Sequence, residues 1–308
     1  MSNDIGRGID VSVIVLTYNS EKFVEHALDS ILDQKTKYTF EIIIGDDCSV
    51  DGTRRILSSY CDGFPEKIRV IYNDNNMGVV LNYFNVVKTC RGKYVMLCAG
   101  DDYWLEGKIE KQVDYMENNH KVGMCCSGVM YLDQTTNTLL KNKKKAGVIS
   151  FEDLIYANRI AAPTVCMRCE LLYKYVNDID PINKGWYMED YPTWLWFAKH
   201  SVIVQMEDYL SVYRVLGESY GHPKNIDKCM AFIDSVKDVK TFFADSDELK
   251  EHGMLGLYSQ LSRAYLKHGD IQNYRRYVIK TRKYRAIKWL LSFFPLYPFI
   301  MNRYYIRH

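Results

Sequence analysis

The sequence predicts an α/β fold, a mostly parallel sheet flanked by helices, with a helical C-terminal extension. Three observations carry this expectation. Short, nearly continuous apolar runs recur four times in the first hundred residues, as strands buried on both faces require. Stretches with helical apolar spacing lie between them. From Asn225 onward the pattern is helical only.

Taken in order, Val11–Leu16 (VSVIVL) reads as a buried parallel strand. Ser20 reads as the cap of a helix whose apolar positions are Phe23, Val24, Ala27, Leu28, Ile31 and Leu32. Glu41–Gly45 is the second strand, Thr53 to Tyr60 a helix and Ile68–Tyr72 the third strand. Asn76 to Cys90 reads as a helix stopped at Arg91-Gly92, and Lys93–Cys98 as the fourth strand. The order βαβαβαβ places these strands in one sheet with helices on its faces. Beyond it, Lys108–Asn118 reads as a helix, Gly123–Leu132 as a strand and 141–145 (KNKKK) as a solvated loop. Phe151–Tyr156, Leu171–Tyr175 and Pro192–Lys199 look helical, and Val202–Gln205 with Tyr209–Val215 looks like a strand pair. YLKHGDIQNYRRYV resembles half of a tetratricopeptide repeat, but a single unit cannot bury its own face.

At 308 residues the chain is long enough for two domains, and the pattern divides it into 1–222 and 223–308. Hydrophobic residues make up 47% and charged residues 25%, which excludes a disordered or fibrous chain. The longest strongly apolar stretch near the end, Trp289 to Met301, holds two prolines and is too short for a membrane-spanning helix of about 20 residues. The first ten residues lack the apolar core of a signal peptide. The expectation is therefore a cytoplasmic protein.

Charge is unevenly placed. Residues 267–308 carry ten basic side chains and one acid, a net of +9, which leaves −7 for residues 1–266 against a whole-chain charge of +2. The same segment holds ten aromatic residues, including Trp289, Phe293, Phe294 and Phe299. An acidic body argues against nucleic acid as a partner. The tail fits an anionic membrane surface, which would hold the protein peripherally at the inner face of the cell membrane. The competing reading is a helical cover on the body or on a second subunit. Nine cysteines, most within apolar runs, read as small core residues of a reducing compartment. The lone C-x-x-C of Cys166 and Cys169 has no second pair to complete a zinc site.

In an open parallel sheet ligands bind beyond the carboxyl ends of the strands. Thr17, Tyr18 and Asn19 follow the first strand, Asp46, Asp47 and Ser49 the second, and Gly100, Asp101 and Asp102 the fourth. Four carboxylates converging on one crevice repel unless a cation or hydrogen-bond donors offset them. A hard divalent cation, Mn²⁺ or Mg²⁺, is the natural solution. No GxGxxG or GxxxxGK[ST] follows the first strand, so dinucleotide-binding and P-loop readings lose their support. Tyr18 is placed to stack on a base and Asp47 to accept hydrogen bonds from a base or ribose. In the plainer reading Asp46 and Asp47 form a turn, Gly100-Asp101-Asp102 is a surface turn and Tyr18 has no role.

With these residues in place, the chain resembles the family 2 glycosyltransferases of the GT-A fold. The matching stretches are VSVIVLTYNSEKFVEHALDSILDQ, EIIIGDDCSVDGT, NDNNMGVVLNYFNVVKTCRGKYVMLCAGDDYWLEGKIEKQ, WYMEDYPTWLWFAKHS and YLSVYRV, across roughly residues 10 to 220. The resemblance implies a GT-A domain at 1–222, a nucleotide-sugar donor (a UDP-sugar first), a divalent metal and inversion at the anomeric carbon. It puts Thr17, Tyr18, Asn19, Asp46, Asp47 and Asp101 at the nucleotide and Asp101 and Asp102 at the metal. Glu189-Asp190 falls on the acceptor-side pair, with Asp190 as general base and Glu189 and Trp186 contacting a saccharide or lipid-linked acceptor. Tyr187 and Trp194 extend an apolar wall there, while Trp196 reads as packing. The family's D-x-D-D pattern is broken by Ala99, which leaves the cation to Asp101 and Asp102. The alternatives are a nucleotidyltransferase, which usually carries a Gly-rich basic loop that TYNSEK lacks, and a catalytically inactive sugar-binding relative.

Overall fold

The computed structural model describes residues 8–142, 145–216 and 225–281. The chain forms two compact units, one of Met1–Ser150 with Arg159–Gly217, the other of Phe151–Asn158 with Glu218–His308.

The first unit is built on one sheet. Its N-terminal half alternates β1 (Val11–Thr17), α1 (Val24–Leu32), β2 (Phe40–Asp46), α2 (Thr53–Gly63), β3 (Ile68–Tyr72), α3 (Val79–Val87) and β4 (Tyr94–Ala99). These four strands lie in the order β3-β2-β1-β4 with every pair parallel. Strand alternation explains the packing: Val11, Val13 and Val15 share one core cluster with Val24, Leu28 and Ile31 of α1. The same cluster takes in Ile109, Val113 and Met116 of α4 (Lys108–Asn118), which follows the short β5 (Tyr103–Trp104).

Beyond β4 the sheet becomes mixed. β6 (Val122–Asp133) is followed by β7 (Thr138–Lys141), β8 (Gly147–Ile149) and, after an excursion into the second unit, β9 (Val165–Arg168). β9 inserts antiparallel between β4 and β6. α6 (Cys169–Ile179) and α7 (Asp190–His200) lead to β10 (Val202–Val215). β10 runs parallel to β6, with register shifts between Gln205 and Ser211. The expected strand pair at 202–215 is thus one bulged strand, because both halves pair with the same neighbour. KNKKK is not wholly loop, since Lys141 ends β7. Ser20 does not cap α1 with its side chain: its carbonyl accepts the amides of Phe23 and Val24, and its hydroxyl turns back to the Tyr18 carbonyl. Cys166 and Cys169 lie at β9 and the start of α6, both buried, and all nine cysteines are free thiols.

The second unit contains α5 (Phe151–Tyr156), α8 (Ile226–Phe243), α9 (Asp247–Lys267) and α10 (Ile271–Lys280). The last three begin at side-chain caps, where Asn225, Ser246 and Asp270 accept the amides of Lys228, Leu249 and Asn273. Buried Lys240 donates to the carbonyls of Ile155 (2.8 Å), Tyr156 (2.7 Å) and Gly253 (3.1 Å), which pins α5, α8 and α9 together. Three carbonyl acceptors use all three protons of an ammonium. No helix among the described residues is long and apolar enough to cross a membrane. Of the basic, aromatic segment 267–308, the part after Thr281, with Trp289, Phe293, Phe294 and Phe299, lies outside the described residues.

Gly256 of α9 faces the end of α5 so closely that an added Cβ would run into the Tyr156 carbonyl. An exposed helical Gly→Ala change normally gains about 1 kcal/mol. At Gly256 the sign reverses: Gly256→Ala is expected to lose about 1–3 kcal/mol, read as a lower melting temperature of the full chain.

Candidate active site

The loops after β1 and β2 are tied to each other. Asn19 adopts a left-handed backbone (φ 51°). Its amide donates to Ser49 Oγ (2.9 Å) and its Oδ1 accepts from the Val50 amide (2.9 Å). The Ser20 amide donates to Thr53 Oγ1, and the Gly52 amide to Glu21. Between the two strand ends Asp46 is fully buried. Its oxygens accept from Thr17 Oγ1 (3.1 Å), the Ser49 amide and hydroxyl, and Arg54 Nε (2.6 Å). Asp46 and Thr17 are thus occupied in holding the rim of the crevice. Tyr18 and Asn19 remain exposed there, Tyr18 by half its surface.

Asp47 is also buried and accepts from the Met77 and Gly78 amides (both 2.8 Å) and from Asn73 Nδ2 (3.1 Å). The same Asn73 amide reaches Asn82 of α3, whose Nδ2 donates to the Gly45 carbonyl. Sequence reasoning did not single out Arg54, Asn73 or Asn82. Only Asn82, a polar residue inside the apolar run of α3, carried such a signal.

The third strand end carries the acidic pair. The Gly100 amide donates to the Leu16 carbonyl (2.8 Å), and a Cβ on Gly100 would come within 2.8 Å of Thr17 Cγ2, so this turn needs glycine to sit against β1. The Asp102 amide then donates to the Ala99 carbonyl (3.1 Å). Asp102 Oδ1 accepts from the Arg214 amide (2.8 Å), and its Oδ2 is buried with no partner. Burial raises the carboxyl pKa of both Asp101 and Asp102, and the neighbouring Asp101 charge pushes Asp102 up further. A hard divalent cation answers both features, an orphaned buried oxygen and two carboxylates costly to ionise, so the residues present fit Mn²⁺ or Mg²⁺. Among the described residues there is no cluster of three or more His, Cys, Asp or Glu side chains suited to a metal. Asp101 and Asp102 would hold such a cation through two carboxylates, and so few protein ligands are usual for Mg²⁺.

Glu189 precedes α7, and Asp190 opens it. Burial first, and the Asp190 charge second, lift the Glu189 carboxyl to about 8. The same pair reaches Tyr83 of α3 and Tyr175 of α6, whose phenols are pushed up by burial and then by these charges among others. Trp186 and Trp194 are buried and Tyr187 is half exposed; Trp196 is buried against Tyr175. Tyr213 of β10 connects the two acidic pairs. Its phenol is raised by burial, then by Asp102 and Asp101, and also by Asp190. One side chain therefore senses the carboxylates after β4 and the carboxylate that opens α7. The open groove along β3, lined by Cys61, Asp62, Pro65 and Arg69 among others, contains none of the predicted site residues.

Lys108, the first residue of α4, is wholly buried, its Nζ bonded to Gln112 Oε1 and 5.1 Å from the centre of the Trp104 ring.

Comparisons with known proteins identify the fold that carries these strand-end carboxylates and the helix-borne acidic pair. A model of glycosyl transferase family 2 matches residues 12–175, more than half of the chain, and the protein belongs to that family. It is 30% identical over 215 residues to the putative teichuronic acid biosynthesis glycosyltransferase TuaG of Bacillus subtilis, covering 70% of this chain and 82% of TuaG. Uncharacterized proteins of Mycobacterium tuberculosis and Mycobacterium bovis are 29% identical over 71% of this chain, and the match spans 62% of their length. Among solved structures, Staphylococcus aureus TarS in complex with UDP-GlcNAc superposes with a TM-score of 0.61 at 18% identity, over 96% of this chain and 88% of that one. The mannosyltransferase PcManGT of Pyrobaculum calidifontis, with GDP-Man and Mn²⁺, gives 0.61 at 13% identity, over 99% and 87%. The fold is therefore of the GT-A type, with additional C-terminal helices.

Burial lowers the Lys108 pKa to about 8 from an ordinary 10.5. Between those values the unfolded chain holds a proton that the folded chain does not, so stability should rise with pH from 8 to 10.5, by at most about 1.4 kcal/mol per unit. Lys108→Met is expected to flatten that slope in denaturant titrations run across the window.

Proposed function

We propose that the protein is an inverting glycosyltransferase that moves a sugar from a nucleotide-diphosphate sugar, first of all a UDP-sugar, to a hydroxyl of a saccharide or lipid-linked saccharide. The observation that carries this reading is Tyr213, within electrostatic reach of Asp101 and Asp102 on one side and Asp190 on the other. A donor diphosphate at the first pair and an acceptor hydroxyl at the second then meet at one centre. The domain that does this is residues 1–222.

In the proposed mechanism Tyr18 stacks on the base and Asn19 lines the nucleoside, with Asp47 fixing the loop behind them through the Met77 and Gly78 amides. Thr17 and Asp46 hold that rim from beneath. Asp101 and Asp102 would hold the divalent cation, which when bound supplies Lewis-acid stabilisation of charge developing on the diphosphate. Asp190 accepts the proton of the acceptor hydroxyl as its oxygen bonds to the anomeric carbon and the nucleoside diphosphate leaves. Glu189 and Trp186 orient the acceptor. A positioned base of this kind contributes about 10²–10⁴-fold, and closing the crevice on the sugar keeps water from competing as nucleophile. The basic, aromatic C-terminal segment would bring the site to an anionic membrane surface where lipid-linked acceptors reside.

Two tests follow. Asp190→Asn should cut kcat by about 10²-fold or more while Mn²⁺-dependent binding of UDP, read by thermal shift, stays near wild type. Asp101→Ala should weaken that binding itself; UDP held at 100 times its Kd with Mn²⁺ adds about 2.7 kcal/mol of stability to the wild type. Release of pyrophosphate from a nucleoside triphosphate would favour the nucleotidyltransferase instead. For the membrane proposal, full-length protein should float with anionic vesicles and a chain ending at Thr281 should not. Equal flotation of both would remove the anchor.

A further inference from the structure

Arg214, the penultimate residue of β10, is buried and has no part in the chemistry described above. Its contacts converge on the acidic turn from behind. The guanidinium donates through Nε to the Asp101 carbonyl (2.8 Å) and through Nη1 to Gln134 Oε1 (2.7 Å). Nη2 lies 3.4 Å from His26 Nδ1. Its carbon stands 4.7 Å from the centre of the Phe23 ring and 5.5 Å from that of Tyr103. Tyr103 in turn stacks on His26, centroids 4.2 Å apart. The backbone amide of the same residue fixes Asp102 Oδ1, and the Gln134 amide donates to the neighbouring Val215 carbonyl (3.2 Å).

One side chain thus grips the backbone of Asp101, and its main chain grips the carboxylate of Asp102, which leaves Asp102 Oδ2 as the oxygen with no partner. A planar fork is suited to this: it holds two acceptors in fixed directions while its faces lie against aromatic rings. Lysine offers a point charge with no such geometry. Ligand positions at a metal must be held within about half an ångström, and residues behind the ligands do that.

We propose that Arg214 is a positioning residue for the cation and diphosphate site, anchored by Gln134, and that it sets the shape of the Asp101–Asp102 turn on which divalent-metal affinity depends. This rests on the functional reading above. The test compares wild type with Arg214→Gln, Arg214→Lys and Gln134→Ala. The readout is the Mn²⁺ concentration that half-saturates the UDP-induced thermal shift, together with kcat at saturating Mn²⁺.

Arg214→Gln should raise the half-saturating Mn²⁺ at least tenfold while kcat at saturating Mn²⁺ falls far less. Arg214→Lys should remain several-fold impaired, because charge without the fork does not hold the turn. Gln134→Ala should raise the requirement two- to fivefold, and it serves as the deciding variant if Arg214→Gln does not fold. An unchanged Mn²⁺ requirement in Arg214→Gln, or in Gln134→Ala where that variant decides, would overturn the proposal. Full rescue by Arg214→Lys would also overturn it by assigning the effect to charge alone. A wild type that shows no Mn²⁺-dependent response to UDP or GDP would instead remove the functional reading on which the proposal stands.

Discussion

The site is organised around the cost of holding two adjacent carboxylates in a turn that water reaches poorly. Asp101 and Asp102 follow β4 directly, and burial disfavours the ionised form of both. The surroundings offset part of that cost without cancelling it. The Arg214 amide satisfies one oxygen of Asp102, the guanidinium sits behind Asp101, and one buried oxygen is left over. A turn satisfied entirely by protein groups would have no reason to bind a cation. One left wholly unsatisfied would sit as carboxylic acids, which are poor ligands for a hard metal. The half-compensated state lies between, and Gly100, pressed on Thr17, fixes where it is presented.

The nucleoside side of the crevice is built on the opposite plan. Asp46 and Asp47 direct their oxygens inward, to Thr17, Ser49 and Arg54 in one case and to the 73–78 loop in the other. Charged acceptors of this kind form the stronger class of hydrogen bond, so these loops are set before any ligand arrives. A rim of preformed shape lowers the ordering cost of binding, with Tyr18 and Asn19 left exposed on it. The acidic residues that looked alike in the sequence thus divide: Asp46 and Asp47 serve as internal girders, and Asp102 keeps a buried oxygen with no partner.

What the sequence made legible follows from periodicity. β1 to β4, the helices between them and the strand-end residues could be read because a buried parallel strand and an amphipathic helix each leave a repeating apolar signature. β9 could not, since four residues of VCMR carry no period, and its antiparallel insertion depends on partners far along the chain. The bulge in β10 looked like a turn because polar Glu207 and Asp208 interrupt the alternation, whereas β6 continues to pair on both sides of it. Arg214 lies within YLSVYRV, yet its contacts are with Asp101, Gln134 and Phe23, none of them near it in sequence. Nearness in space between distant polar residues is the part of a site that a single sequence does not encode in any local pattern.

The acidic pair at α7 resolves a difficulty in the proposed chemistry. A base must be ionised, yet Glu189 and Asp190 are neighbours near the buried phenols of Tyr83 and Tyr175. Two full charges there would each raise the other, as in carboxylate pairs that share a proton. Burial and then the Asp190 charge lift the Glu189 carboxyl to about 8, so at neutral pH Glu189 favours its protonated form. Asp190 stands at the helix N-terminus, where the α7 macrodipole favours an anion. A protonated Glu189 can donate a hydrogen bond to an acceptor oxygen, which an ionised one cannot. In the proposed reaction the same buried environment would divide the two roles: the glutamic acid keeps the proton and orients the alcohol, and the aspartate takes one.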